Sequence, residues 1–395
     1  MESYVFLLSI AIILISTKIL GDVTNRVNLT QVVGALLAGV LLGPSCLGLI
    51  TETDFLAKTA EIGVILLMFT AGLDTDINEM KKNSAACLAA AVMGVILPLI
   101  AGTACYYFFL IPGSRSYNEI LKAVFVGVAL TATSVSITVE ALREMGKLDG
   151  KVGSAILGAA VIDDIIGIIV LTLVISMKDS GVSVSGILIK ILLYGVTMLA
   201  LGYLINRFHD SIDRNLGKRR ITTYIVAACF IVSYATETFF GIADITGAYL
   251  LGLFFSQHRV KKEVARKITV PSYLFFSPIF FASVGLKAEL GSLTAKMFVF
   301  SLLLIAAAFA AKVIGCALGA KICGFTVRES VQVGVGMVSR GEVALIMAQK
   351  GFAVGLVDAA IFPPIVLMVI ATTVITPIVL RRIMCDNMDE ASAKE

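Results

Sequence analysis

Thirteen apolar windows, parted by short polar loops, set the limits on how this chain can fold. They cover residues 3–20, 30–49, 55–73, 84–110, 120–143, 152–177, 184–206, 221–240, 243–257, 270–286, 295–320, 328–350 and 360–382. About 20 consecutive apolar residues cross a bilayer as a helix. Without water in the hydrocarbon core, backbone amides must be satisfied within the segment or in a closed barrel. Barrel strands are only about 10 residues long and alternate in polarity, which these windows do not. The sequence therefore predicts an all-α polytopic membrane protein with 13 transmembrane helices. Composition agrees: 58% of residues are hydrophobic and 15% charged, against about a quarter charged in soluble domains. Glu2 stands where a secretory signal would be basic, so residues 3–20 read as a first span and not as a cleaved leader.

The loops assign an orientation. Loops on one side hold 21 of the 32 Lys and Arg residues, and those on the other side hold 7; Lys18, Lys190, Lys312 and Arg340 lie within spans or at their ends. The positive-inside bias predicts the N-terminus outside and the C-terminus in the cytoplasm, with residues 383–395 as a short cytoplasmic tail. A net charge of +4 gives no reason to expect nucleic acid. The seven cysteines include no C-x-x-C pair, and the two histidines, His209 and His258, fall in basic loops. No cofactor, transition metal or disulfide is expected, and no nucleophile–base set points to an enzyme.

The chain contains an internal echo. Gly34-Ala35-x-Leu37-x-Gly39 returns as Gly247-Ala248-x-Leu250-x-Gly252, and Gly72-Leu73 returns as Gly285-Leu286, both at an offset of 213 residues. Seven spans separate the copies, so they run in opposite directions. Inverted repeats build many secondary transporters, with the site at the midplane; small residues chosen for helix packing are the other source of such a match. The predicted plan is a first helix (3–20), repeat one (30–177), linking helices (184–240) and repeat two (243–382).

Polar residues inside the spans carry the functional argument. Asp163 and Asp164 sit mid-span in VIDDIIG, where a charge costs roughly 2.5–3.5 kcal/mol on insertion scales and marks an ion or proton pathway by default. Neighbours on a helix point about 100° apart, so one can face a cavity and the other a protein partner. Burial disfavours an ionised carboxylate and a nearby cation favours it, which is the chemistry of exchange. Lys312, in FAAKVIG, is a basic residue deep in span eleven and needs a carboxylate partner unless it snorkels. Span five holds Thr131-Ala132-Thr133-Ser134-Val135-Ser136; these groups fit an unwound cation site or an intact packed helix, and nothing local forces a break. Span twelve holds Gly334-x-Gly336-Met337-Val338-Ser339-Arg340-Gly341-Glu342. Its glycines suggest an interruption, with Arg340 and Glu342 complementing half-helix ends or each other. Glu61, Asp244, Glu140 and Glu237 read as interfacial acids, and 259–267 as a basic loop.

VIDDIIG, TATSVSI, Lys312, SRGEVALI and the QVVGALLAGVLLGP run of span two resemble bacterial sodium/proton antiporters. These form the second branch of the monovalent cation:proton antiporter superfamily, the NapA-like group with the NhaA fold, and the likeness covers essentially the whole chain. The resemblance implies a dimer domain and a core domain with two crossed, broken helices, here spans five and twelve. It implies Asp164 as the main carrier, Asp163 paired with Lys312, Thr133 beside the site with Thr131 and Ser134 nearby, and Glu342 compensating a half-helix end. It further implies a homodimer in the bacterial cytoplasmic membrane, exchanging sodium or lithium for protons by elevator-type alternating access, electrogenically. Potassium-efflux antiporters are also similar, but usually carry Gln-Asp and a regulatory domain, which makes potassium/proton exchange the alternative. A sodium-coupled organic-solute symporter and a non-transporting sensor are further alternatives.

Overall fold

The computed structural model describes residues 4–27, 29–44, 46–113, 116–178, 184–208, 219–287, 294–358 and 360–385. All regular structure among them is helical. In chain order the helices are α1 (Val5–Arg26), α2 (Gln31–Leu42), α3 (Asp54–Asp74), α4 (Ile77–Lys82), α5 (Ser84–Leu110), α6 (Tyr117–Thr131), α7 (Val135–Glu144), α8 (Lys151–Lys178) and α9 (Val184–Arg207). They continue with α10 (Arg219–Ala235), α11 (Asp244–Phe255), α12 (Val260–Pro271), α13 (Ser277–Leu286), α14 (Ala295–Ile322), α15 (Val327–Gly336), α16 (Glu342–Ala353) and α17 (Phe362–Cys385). A π-helical turn, Thr236–Phe240, extends α10, and another, Ser272–Phe276, joins α12 to α13. Ten helical stretches are long and apolar enough to cross a membrane, and three shorter apolar helices accompany them: Gln31–Leu42, Asp244–Phe255 and Val343–Phe352. The protein is a multi-pass membrane protein.

Two predicted boundaries move. The span expected over 30–49 is helical only to Leu42, because Gly43 leaves the helix in an extended conformation ahead of Pro44, and a residue before proline is pushed away from helical geometry. The basic stretch expected as a loop is instead the first part of a helix that runs from Val260. Val260, Val264 and Ile268 are buried at four-residue spacing, so one stripe packs inward while the intervening Lys and Arg residues point away.

The helices gather into two bundles. In one, α5 and α14 pack along each other and are surrounded by α6, α8, α15 and α17. In the other, α3 packs against α11, and α2 against α1 and α13. Glycines set the closest approaches in the second bundle. A Cβ on Gly39 would collide with the Ala282 backbone, and one on Gly285 with that of Leu36; likewise Gly72 abuts Tyr249 and Gly252 abuts Phe69. Adding 213 to one member of each crossing gives a member of the other: 39 becomes 252 and 72 becomes 285. The sequence echo therefore marks two backbone-to-backbone contacts, α2 on α13 and α11 on α3. Helix α8, with its two aspartates, belongs to the first bundle and meets the second at its middle.

Candidate functional site

Two helices of the first bundle are interrupted within the membrane-length stretch. Helical structure ends at Thr131 and restarts at Val135; it ends again at Gly336 and restarts at Glu342. An interrupted helix leaves carbonyls without partners on one side and amides on the other. Here the two interruptions partly satisfy each other. The Ser134 amide donates to the Ser339 carbonyl at 2.7 Å, and the Ser339 hydroxyl donates to the Ser134 carbonyl at 2.7 Å. Thr138 donates to the Gly336 carbonyl at 2.7 Å, and its hydroxyl lies 2.9 Å from that of Ser339. The sequence left intact and unwound forms of span five open, and the fold decides because the partner strand of orphan groups lies 200 residues away.

Two buried cations donate to carbonyls at the interruptions. Lys312, wholly buried, donates to the Thr131 carbonyl at 2.8 Å and to Asp163 Oδ1 at 2.9 Å. Arg340, also wholly buried, donates to the carbonyls of Leu130 at 2.7 Å, Met337 at 3.3 Å and Ala308 at 3.4 Å, and to that of Val338. Carbonyl ends of helices carry the negative pole of the macrodipole, and both cations sit where that pole is exposed to a dry interior. The Thr373 hydroxyl donates to the Arg340 carbonyl and ties this junction to α17. The Glu342 side chain, expected to compensate the opposite pole, lies outside the described residues.

The two aspartates differ in surroundings. Asp163 is 2% exposed and receives the Thr133 hydroxyl at 2.7 Å as well as Lys312. Asp164 retains 8% exposure and receives the hydroxyl of Thr246, on α11, at 3.2 Å. The structure thus brings Asp163, Lys312, Thr133 and the Thr131 backbone into direct contact. The Thr131 hydroxyl turns back to the Val128 carbonyl at 2.8 Å, and the Ser134 hydroxyl lies 3.2 Å from that of Ser136. These two side chains therefore bond elsewhere, and the part Thr131 plays here is through its backbone.

The acids expected at interfaces separate into two sets at opposite ends of α3. Glu61, Glu237 and Asp244 line a cavity of about 320 Å³ beside the N-terminal half of α3, with Val343 and Ile346 of α16 on its wall. At the far end, Glu140 is not an exposed interfacial residue: it is 5% exposed and accepts from the Tyr273 hydroxyl at 2.9 Å. Arg143 next to it donates to Asp74, to Tyr273 and to Thr70 at 3.1 Å, joining α7 to α3 and the π turn. The Glu144 carboxylate accepts from the Gln31 and Val32 amides at the start of α2, at 2.8 and 3.3 Å. Helical packing turns the 140/144 face of α7 toward the other bundle, a fact that a one-dimensional depth estimate omits. Sequence reasoning also missed Thr246. It directly precedes the repeated Gly247-Ala248, but its counterpart 213 residues earlier is Val33, so the repeat offered no signal for a polar role.

A sequence model of the transmembrane sodium/hydrogen exchanger family matches residues 8–385. The chain belongs to the sodium/hydrogen exchanger family. Among its relatives in the family are the Na(+)/H(+)-K(+) antiporter GerN of Bacillus cereus, 38% identical with 95% of each chain covered, and a Na(+)/H(+) antiporter of Enterococcus hirae, 34% identical over 94% of this chain and 96% of that one. The high-affinity Na(+)/H(+) antiporter NhaS3 of Synechocystis is 32% identical, covering 95% of this chain and 89% of the relative. Two structures of the sodium proton antiporter MjNhaP1 of Methanocaldococcus jannaschii share the fold, with TM-scores of 0.69 and 0.72 at 14% and 15% identity and about 96% of each chain covered. Members of this exchanger family are cation/proton transporters, and the chain's substrates as a family member are a cation and protons. Among the described residues no cluster of His, Cys, Asp or Glu is arranged to hold a metal ion.

Proposed function

We propose that the protein exchanges sodium or lithium for protons across a bacterial cytoplasmic membrane, with Asp164 as the carrier and the Asp163–Lys312 pair as a proton switch. One observation carries this reading: two adjacent mid-span carboxylates, both buried, have different partners, Lys312 and Thr133 for Asp163 and the Thr246 hydroxyl for Asp164. A carboxylate in such a place holds a cation or a proton, and competition at one group couples the two fluxes.

The cycle follows from the two bundles. The first bundle, with α8 and both interruptions, is the mobile core. The second is the scaffold and supplies the homodimer contact, for which α1 offers an apolar outer face including Leu7, Leu8, Ile15 and Ile19. Thirteen crossings arise when the short α2 and α11 and the interrupted α15–α16 are added to the ten long stretches, with spans five and twelve crossing at their breaks. Sodium reaches Asp164 through the acid-lined cavity, displaces protons, and the loaded core moves by an elevator step. With two protons released for each sodium ion bound, one net charge crosses the membrane per cycle, and the exchange is electrogenic. The N-terminus lies outside and the C-terminus in the cytoplasm.

Potassium is the second reading, because GerN is a Na(+)/H(+)-K(+) antiporter. Proteoliposome flux under imposed voltage separates these possibilities. Asp164→Asn is expected to abolish exchange for every cation, and Lys312→Gln to leave exchange with weaker voltage dependence. Normal sodium/proton exchange by Asp164→Asn would falsify the site assignment, and flux with potassium alone would replace the cation.

A further inference from the structure

Asp163 and Asp164 are consecutive in α8, yet their side chains are bonded to different bundles. The partners of Asp163 are Lys312 on α14 and Thr133 at the α6–α7 interruption, all within the bundle that contains α8. The hydroxyl on Asp164 comes from Thr246, in the first turn of α11 and so in the other bundle. Thr246 is 3% exposed. Its two predecessors, Asp244 and Ile245, form part of the wall of the acid-lined cavity, so Thr246 follows directly in the chain on residues that line it.

We infer that Thr246 supplies a scaffold-borne oxygen to the ion held by Asp164, and that it does so in only one of the two orientations of the core. The inference rests on the reading of Asp164 as the carrier. A hydroxyl has one donor and two acceptor lone pairs. Here it donates to Asp164 Oδ2 at 3.2 Å. When a hard cation occupies the carboxylate, rotation about Cβ–Oγ turns a lone pair toward the ion, and such cations favour oxygen ligands. Any displacement of the first bundle against the second carries Asp163, Lys312 and Thr133 along together and separates Asp164 from Thr246. The ion thus has one more neutral ligand on one face of the membrane than on the other. Thr246 is a positioning and affinity-setting residue whose effect is sided.

The test measures sodium KM separately at each face, in proteoliposomes of known protein orientation, for the wild type, Thr246→Val, Thr246→Ser and Asp164→Asn. Thr246→Val keeps the shape and removes the oxygen; Thr246→Ala, which cannot clash, is the second variant if valine impairs folding. The expected result is a rise in sodium KM of about three- to tenfold at one face, the loss of one net hydrogen-bond-sized interaction, with kcat changed less and with Thr246→Ser restoring most of the KM. A KM unchanged at both faces, or raised equally at both, overturns the inference. Asp164→Asn separates the two claims: if it still exchanges, the carrier reading fails, whereas if it is inactive and Thr246→Val behaves as the wild type, only the role of Thr246 fails.

Discussion

Lys312 and Asp163 offer the sharpest energetic test of the site. Their side chains are 0% and 2% exposed and meet at 2.9 Å. Neither charge has water to fall back on. Lys312→Met removes the cation but keeps the length of the side chain. It leaves Asp163 with the Thr133 hydroxyl and leaves the Thr131 carbonyl without its lysine donor. Breaking a buried pair from one side costs about 3–5 kcal/mol. Asp163→Asn is expected to cost a similar amount, because Lys312 then remains charged against two neutral oxygens. The double variant removes both charges. Its remaining penalty is the orphaned Thr131 carbonyl, about 1–3 kcal/mol. The singles therefore sum to about 6–10 kcal/mol, while the double should lose only a fraction of that, leaving a coupling of several kcal/mol. Melting in detergent, followed by fluorescence and by loss of monodispersity, reads the effect. Each single should melt about 5–10 °C below the wild type and the double should recover at least half of the drop. Should the double fall by the sum of the singles, the two residues do not stabilise each other and the switch has no energetic basis.

Two further outcomes follow from packing. Gly252→Leu places a side chain against the Phe69 backbone where α11 and α3 touch, and overpacking there should cost about 1–3 kcal/mol or more, read as a lower melting temperature and reduced yield; the same change at the open Gly195 should leave both near wild type. Arg340→Met removes the donor to the Leu130 and Met337 carbonyls and should destabilise by about 1–3 kcal/mol per orphaned group, visible as faster hydrogen exchange of the amides flanking both interruptions.

The rough extent of the long apolar segments could be read from the chain alone, because the thickness of a bilayer imposes a length that can be counted along it. The sequence also determined that two aspartates and a lysine at depth require partners, since lipid offers an unpaired charge no solvent. Helix type at short, polar-edged segments was harder to read. Val260, Val264 and Ile268 formed a helical stripe in what looked like a basic loop, and Gly43–Pro44 cut the second helix short. The resemblance named Asp163 as the partner of Lys312, and the placement of α14 beside α8 gives the physical reason, for the two carboxylates lie one residue apart and differ in the direction they face. Tertiary structure decided that span five is interrupted, because the groups that stabilise the break, Ser339, Arg340 and Lys312, come from helices folded against it from far along the chain. It also brought Thr246 to Asp164 across the boundary between bundles. Hydrophobic length is a property of a segment and is written in it, whereas the pairing of buried charges is a property of two segments and exists only once they are packed.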